Sequence, residues 1–229
     1  MIVSHARRFI FLKTKKTAGT SMEIALSSLC GSEDVITPIP ERDEEERRRL
    51  GYRGPQNCGV RPGRYRSSDA LRLVLHRKPL SFYNHTPALT ARRLLPRDVW
   101  EGYFKFCFDR NPWDKAISHY YWQGGGARFA SVKEFLLSGR GQPYSNYHLY
   151  SIRGVPAVDR VYRYEEMESS LDDLSGRLGL DRPLRLPEFR AKSRTHVDRR
   201  HYREILSAEE VEMIAVACAR EIRLLGYEF

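Results

Sequence analysis

Two segments of this sequence, the first an uninterrupted apolar run and the second aromatic and β-prone, each lead into a polar loop and then into a segment of helical spacing. The first is Phe9-Ile10-Phe11-Leu12, followed by Lys13-Thr14-Lys15-Lys16-Thr17-Ala18-Gly19-Thr20-Ser21 and then by Met22, Ala25, Leu26, Leu29 and Cys30. The second covers residues 103–108 and passes into Asp109-Arg110-Asn111-Pro112, after which Trp113, Ala116, Ile117, Tyr120 and Tyr121 share one helical stripe. A short run without polar interruption is the pattern of a strand buried on both faces, as in parallel sheets. Helical spacing directly behind each run sets up a strand–loop–helix unit, and its repetition predicts an α/β fold with a largely parallel sheet. Residues 161–164 predict a third strand, ahead of a helix carrying Met167, Leu171, Leu174 and Leu178.

The rest of the chain fits one domain over residues 1–229, with 41% hydrophobic residues to build its core. Leu71-Arg72-Leu73-Val74-Leu75 reads as a further strand, and Thr86-Pro87 as a helix start that places His85 just ahead of it. Capping boxes at Ser131/Glu134 and Ser207/Glu210 open two later helices. The last of these carries Val211, Ile214, Cys218, Ile222 and Leu225 and stops at Gly226. Residues 41–53 hold five acidic residues and five arginines without apolar periodicity, and Gly and Pro recur up to residue 63. This predicts an exposed charged insertion over 41–66.

A net charge of +10 favours a polyanionic partner such as a nucleotide, nucleic acid, acidic glycan or anionic membrane. The four cysteines form no CxxC pair, which points to reduced thiols and a cytoplasmic setting. No signal-peptide apolar region and no transmembrane-length apolar run is expected, nor any cluster at metal-ligand spacing.

A loop of small and hydroxylic residues between a buried strand and a helix N-terminus presents backbone N–H groups and the positive helix end to an anion. The loop of Lys16, Thr17, Ala18, Gly19, Thr20 and Ser21 is of this kind, and it is not a Walker A motif, because its lysine precedes the glycine. It resembles the phosphosulfate-binding loop of sulfotransferases, written PKTAGTS or PKTGGTS, with Lys15 in place of the proline. Residues 106–118 resemble the family's FxFVRNPWDRxxS segment, with Asp109 where valine is common and Lys115 where arginine is common. Arg163-Tyr164-Glu165 resembles its RYE segment, and Leu225-Gly226-Tyr227-Glu228-Phe229 the LGY.F close of many bacterial members.

The resemblance implies a P-loop-like three-layer fold, with a mostly parallel central sheet flanked by helices. It implies 3′-phosphoadenosine 5′-phosphosulfate (PAPS) as cofactor and transfer of its sulfuryl group to a hydroxyl or amine of an acceptor, a carbohydrate or small molecule. Lys16 would contact the sulfuryl group and the leaving phosphate, residues 17–21 the 5′-phosphate, Arg110 and Ser118 the 3′-phosphate, and Tyr164 the adenosine. His85 lies between the two motifs, where related members often carry a catalytic histidine, and a histidine suits a general base at neutral pH. His119 is the reserve. Lys192 and Arg194 could close over the 3′-phosphate. Nucleic acid and membrane are not expected as partners. The competing readings are an ATP-dependent small-molecule kinase and a non-catalytic polyanion-binding module. Residues 41–66 and 124–150 fall outside the resemblance and are expected to hold acceptor specificity.

Overall fold

The computed structural model describes residues 1–77, 79–140, 144–187 and 200–229. In chain order its regular elements begin with β1 (Ile2–Ser4), β2 (Phe9–Phe11), α1 (Gly19–Ser27), β3 (Val35–Ile36), α2 (Glu41–Arg49) and α3 (Ser67–His76). Then follow α4 (Ala88–Leu94), α5 (Arg97–Gly102), β4 (Phe104–Asp109), α6 (Pro112–Trp122), α7 (Val132–Leu137) and α8 (Tyr147–Tyr150). The chain continues through β5 (Ser151–Ile152), β6 (Val155–Pro156), β7 (Arg160–Arg163), α9 (Met167–Arg177), α10 (Tyr202–Ile205), α11 (Ala208–Ala217) and α12 (Ala219–Leu225).

The architecture is mixed α/β. Five strands form one sheet in the order β3-β1-β2-β4-β7, and β5 and β6 form a separate hairpin. The expected parallel arrangement holds for β2, β4 and β7. β1 is antiparallel to both β2 and β3, which makes that side of the sheet mixed. Side chains alternate between two cores across the sheet. Phe9, Phe11, Phe106, Phe108 and Tyr162 pack with Met22 and Leu26 of α1 and with Leu171 and Leu174 of α9. Val3, Ile10, Leu12 and Cys107 pack with Ala91 of α4, Trp100 of α5 and Tyr150 of α8. Both faces are therefore covered, which is why β2 lies in a continuous apolar run. A third cluster joins Trp113, Ile117 and Tyr120 of α6 to Phe135 of α7, Ile214 of α11 and Tyr227.

Two expectations are corrected. Residues 71–75 lie in helix α3, not in a strand. Asp69 accepts hydrogen bonds from the Arg66 N–H (3.0 Å) and from Arg93 Nη1 (2.6 Å), which anchors that helix at its first turn. The charged stretch at 41–66 is exposed only in part. Its first 9 residues form helix α2, with acidic residues in the first turn and arginines in the last, the order that the helix dipole favours. Arg47 is fully buried on that helix, and its Nη1 pairs with both oxygens of buried Glu44 at 3.1 and 3.0 Å. The four cysteines are free thiols. Among the described residues no helix is long and apolar enough to cross a membrane.

Candidate functional site

The site is built on the C-terminal ends of the three parallel strands, where open α/β sheets place their ligand crevices. The loop carrying Lys16 follows β2, Arg110 follows β4, and Tyr164 follows β7. Because β2–β4 and β4–β7 are neighbours, residues far apart in sequence meet there. Arg110 Nη1 donates to the Lys16 carbonyl at 3.3 Å, and the Arg110 guanidinium carbon lies 4.6 Å from the Tyr164 ring centroid. Arg110 Nε also donates to Asp114 at 2.7 Å. Three of the residues singled out in the sequence are thus joined by direct contacts.

The loop itself is tightly specified. Lys16 and Ala18 adopt left-handed backbone with φ of +63° and +53°, which non-glycine residues rarely do. Ala18 is the N-cap of α1 and offers no side-chain cap, and the first turn carries no acidic residue. The Met22 N–H reaches the Ala18 carbonyl at 3.0 Å. The amides of Gly19, Thr20 and Ser21 precede that bond and so have no acceptor within the helix. A Cβ on Gly19 would stand 2.7 Å from Lys13 Cγ, so the close approach of loop and helix requires glycine. An open helix start of this kind suits a phosphate-type anion.

Two of the loop hydroxyls have partners within the protein. Thr17 is buried, and its Oγ1 lies 2.9 Å from Thr14 Oγ1, which in turn bonds the Phe108 carbonyl of β4. Thr20 Oγ1 accepts from Lys13 Nζ at 3.0 Å. These two side chains brace the loop from inside, and the backbone N–H groups at the start of α1 are left without an acceptor in the helix. Ser21 is buried at the start of α1. Ser118 lies half-buried on α6, about two turns beyond Arg110. Lys192 and Arg194 lie outside the described residues.

Beneath the loop sits a buried charge cluster that sequence reasoning missed. Glu23 accepts from Lys13 Nζ at 2.7 Å and from the Met1 amino group, with Thr37 Oγ1 3.2 Å from it. Burial alone would raise the Glu23 pKa, but the two cations more than offset this and hold it below the usual carboxylate range. The signal was present in principle, because a lone glutamate among Met22, Ile24, Ala25 and Leu26 must find a partner if that helix is buried.

His85 lies against this cluster. Its Nδ1 is 3.0 Å from the Lys13 carbonyl, which can only accept, so Nδ1 carries the proton and Nε2 is the ring's free acceptor. Burial, helped by the charges of Lys13 and the Met1 amino group, lowers the His85 pKa to about 4, against the opposing pull of that hydrogen bond. The ring is neutral at pH 7 and can take a proton at Nε2. His119 also reaches the loop's electrostatic field. Burial and then the charges of Lys16 and Lys15 lower its pKa to about 4. Its ring lies 5.6 Å from Trp122, over which Lys16 Nζ sits at 5.4 Å.

Asp109 is another residue whose role the sequence did not reveal. It is fully buried and accepts from Lys115 Nζ (3.1 Å), Asn146 Nδ2 (2.9 Å), the Arg110 N–H (2.9 Å) and the Tyr150 hydroxyl (3.0 Å). Both departures from the sulfotransferase pattern in that segment, Asp109 and Lys115, are therefore partners of each other. Among the described residues no group of three His, Cys, Asp or Glu side chains could hold a metal ion.

No family model matches the chain. An uncharacterized protein of Archaeoglobus fulgidus is 31% identical over 103 residues, covering 43% of this chain and 86% of the archaeal protein. The chain belongs to the family of that protein. The relative's name carries no activity, so the chemistry of the site has to be argued from its residues.

Proposed function

We propose that this protein is a sulfotransferase that uses PAPS as sulfuryl donor. The observation that carries the reading is the meeting of two motifs 94 residues apart, where the Arg110 guanidinium bonds the Lys16 carbonyl and lies over the Tyr164 ring. The second and third motifs follow β4 and β7, the strands next in order to β2, so all three lie at the same strand ends, which supports the reading. A P-loop-like three-layer arrangement accords with helices on both faces of the sheet, and a cytoplasmic setting accords with four free thiols.

The donor supplies an activated sulfuryl group. The acceptor oxygen or nitrogen bonds to sulfur as the bond from sulfur to the phosphate oxygen breaks, and the phosphate leaves with the electron pair. Around that step the loop amides of residues 19–21 and Lys16 provide fixed positive charge, which acts without reorganisation as the leaving oxygen becomes more negative. Arg110, with Ser118 behind it on α6, would hold the 3′-phosphate, and Tyr164 would lie along the adenosine. His85 Nε2 takes the acceptor proton, with the Lys13 carbonyl holding the ring in the needed tautomer.

The test is release of adenosine 3′,5′-bisphosphate from PAPS in the presence of mixed hydroxyl and amine acceptors. The reading expects turnover that Lys16→Ala removes. Turnover of Mg-ATP in place of PAPS would support a kinase and overturn it.

A further inference from the structure

Apart from the loop the surface is indented by a groove of about 560 Å³. It is bounded by the start of α4, by α8, by the β5–β6 hairpin and by the junction of α11 and α12. Two connections tie it to the site. Pro87 on one wall follows His85 by two residues. Ser145 and Tyr147 on another wall flank Asn146, whose amide holds the N–H and the carbonyl of Lys15, each at 3.0 Å. The positive charge of Lys15 also adds to burial in lowering the pKa of His148, which lines the same wall.

The charge of this lining is one-sided. Arg153 and Arg220 are exposed, whereas the acidic residue, Glu221, is 1% exposed and committed to the Tyr147 N–H at 3.3 Å. Leu89 and Val216 add exposed apolar surface, at 61% and 69%. The groove thus offers two guanidinium groups and an apolar strip to whatever enters it.

Arg153 also occupies a strained position. The hairpin turn between β5 and β6 consists of Arg153 and Gly154, with φ of +52° and +79°. Two-residue turns with both central residues left-handed favour Asn-Gly or Gly-Gly, and an arginine in the first place is retained against that preference. Among the described residues its guanidinium has no hydrogen bond or ion pair that would explain it as a structural brace. Strain of this kind concentrates where a side chain is used. Arg220 reaches the same turn. A Cβ on Gly154 would lie 3.7 Å from Arg220 Nη1, and the guanidinium carbon sits 5.6 Å from the Tyr147 ring centroid.

We propose that this groove is the acceptor site and that it takes an anionic acceptor, whose oxyanion is bound by Arg153 and Arg220 while its apolar part lies along Leu89 and Val216. The proposal rests on the sulfotransferase reading for the word acceptor, and on the groove alone for the preference for an anion. Guanidinium groups bind carboxylate and sulfonate oxyanions through paired N–H donors, so either can satisfy the site.

The test uses the whole protein saturated with adenosine 3′,5′-bisphosphate. It is titrated with 4-(hydroxymethyl)benzoate, 4-(hydroxymethyl)benzenesulfonate and the neutral 4-(hydroxymethyl)benzamide, followed by ligand-observed NMR. At least one anion should bind about ten-fold or more tightly than the amide, as charge-assisted hydrogen bonds imply. The stronger of the two identifies the oxyanion. Arg153→Gly relieves the turn and should keep or raise the melting temperature while most of that preference disappears. Arg220→Ala should reduce it further, with the bisphosphate-induced thermal shift unchanged in both variants. Equal binding of anions and amide, or a preference that survives both substitutions, overturns the proposal. If the wild type selects the anion but is not stabilised by the bisphosphate, the sulfotransferase reading fails, and with it the acceptor role of the groove.

Discussion

The side-chain amide of Asn146 grips the backbone of Lys15 from both sides, accepting from its N–H at 3.0 Å and donating to its carbonyl at 3.0 Å. A proline at position 15, as in the sulfotransferase pattern, has no N–H to donate. In this chain a side-chain clamp takes over what a proline ring would do by fixing φ. Asp109 orients the clamp, since Asn146 Nδ2 also donates to it at 2.9 Å.

Asn146→Ala therefore removes two bonds to the loop and one to a buried carboxylate. It should destabilise the protein by about 2–3 kcal/mol and weaken bisphosphate affinity about ten-fold. Denaturant unfolding and a nucleotide titration check both. A variant that loses stability but binds nucleotide normally would show that the clamp serves the core and not the loop.

Gly19→Ala places a methyl group 2.7 Å from Lys13 Cγ and 3.3 Å from the Thr14 carbonyl. Lys13 would have to leave Thr20 and Glu23 to make room. A loss of about 1–3 kcal/mol is expected, together with loss of nucleotide binding, read by the same two measurements.

His85→Ala should lower kcat about 100-fold or more while leaving bisphosphate binding unchanged, because the ring is assigned to proton transfer and not to the nucleotide. His119→Ala should leave kcat within a few-fold. The reverse outcome would move the base to His119, which shares the low pKa and feels the charge of Lys16.

Stability should fall between pH 6.5 and pH 4. His85 and His119 are held at about 4 in the folded protein, against 6.5 for a free imidazole. In that window the unfolded chain binds protons that the folded one does not. Their contribution is thus complete above about pH 6.5 and is lost as the pH drops, by about 1 kcal/mol per pH unit from each. Glu23, whose pKa is also lowered, adds loss of the same sign at still lower pH. Denaturant midpoints at pH 7, 6 and 5 measure the slope, and a flat profile over that range would contradict it.

The sequence carried the local half of this account. The runs ending at Leu12 and Phe108 marked buried strands because both faces of the sheet are covered, and the stripe from Trp113 marked the helix that Asn111 caps. Leu71-Arg72-Leu73-Val74-Leu75 misled because strand alternation and a short helical stripe look alike over five residues. The helix starts with Asp69 accepting from the Arg66 N–H and from Arg93, a contact 24 residues apart. β1 ends in Ser4 and shows no run like that of Phe9–Leu12, and its antiparallel pairing was not foreseen. Asp109, Asn146 and Tyr150 form one network across 41 residues of chain, and each alone is an unremarkable polar residue.

The central claim is that one site holds a nucleotide bearing a 3′-phosphate, and thermal titration with adenosine 3′,5′-bisphosphate against ADP and Mg-ATP tests it most directly. At about 100 times its dissociation constant the bisphosphate should add about 2.7 kcal/mol, a rise of about 5–10 °C in a domain of this size. The rise should be selective for the bisphosphate and lost in Arg110→Ala. No preference over ADP, or a preference for Mg-ATP, would contradict the sulfotransferase reading.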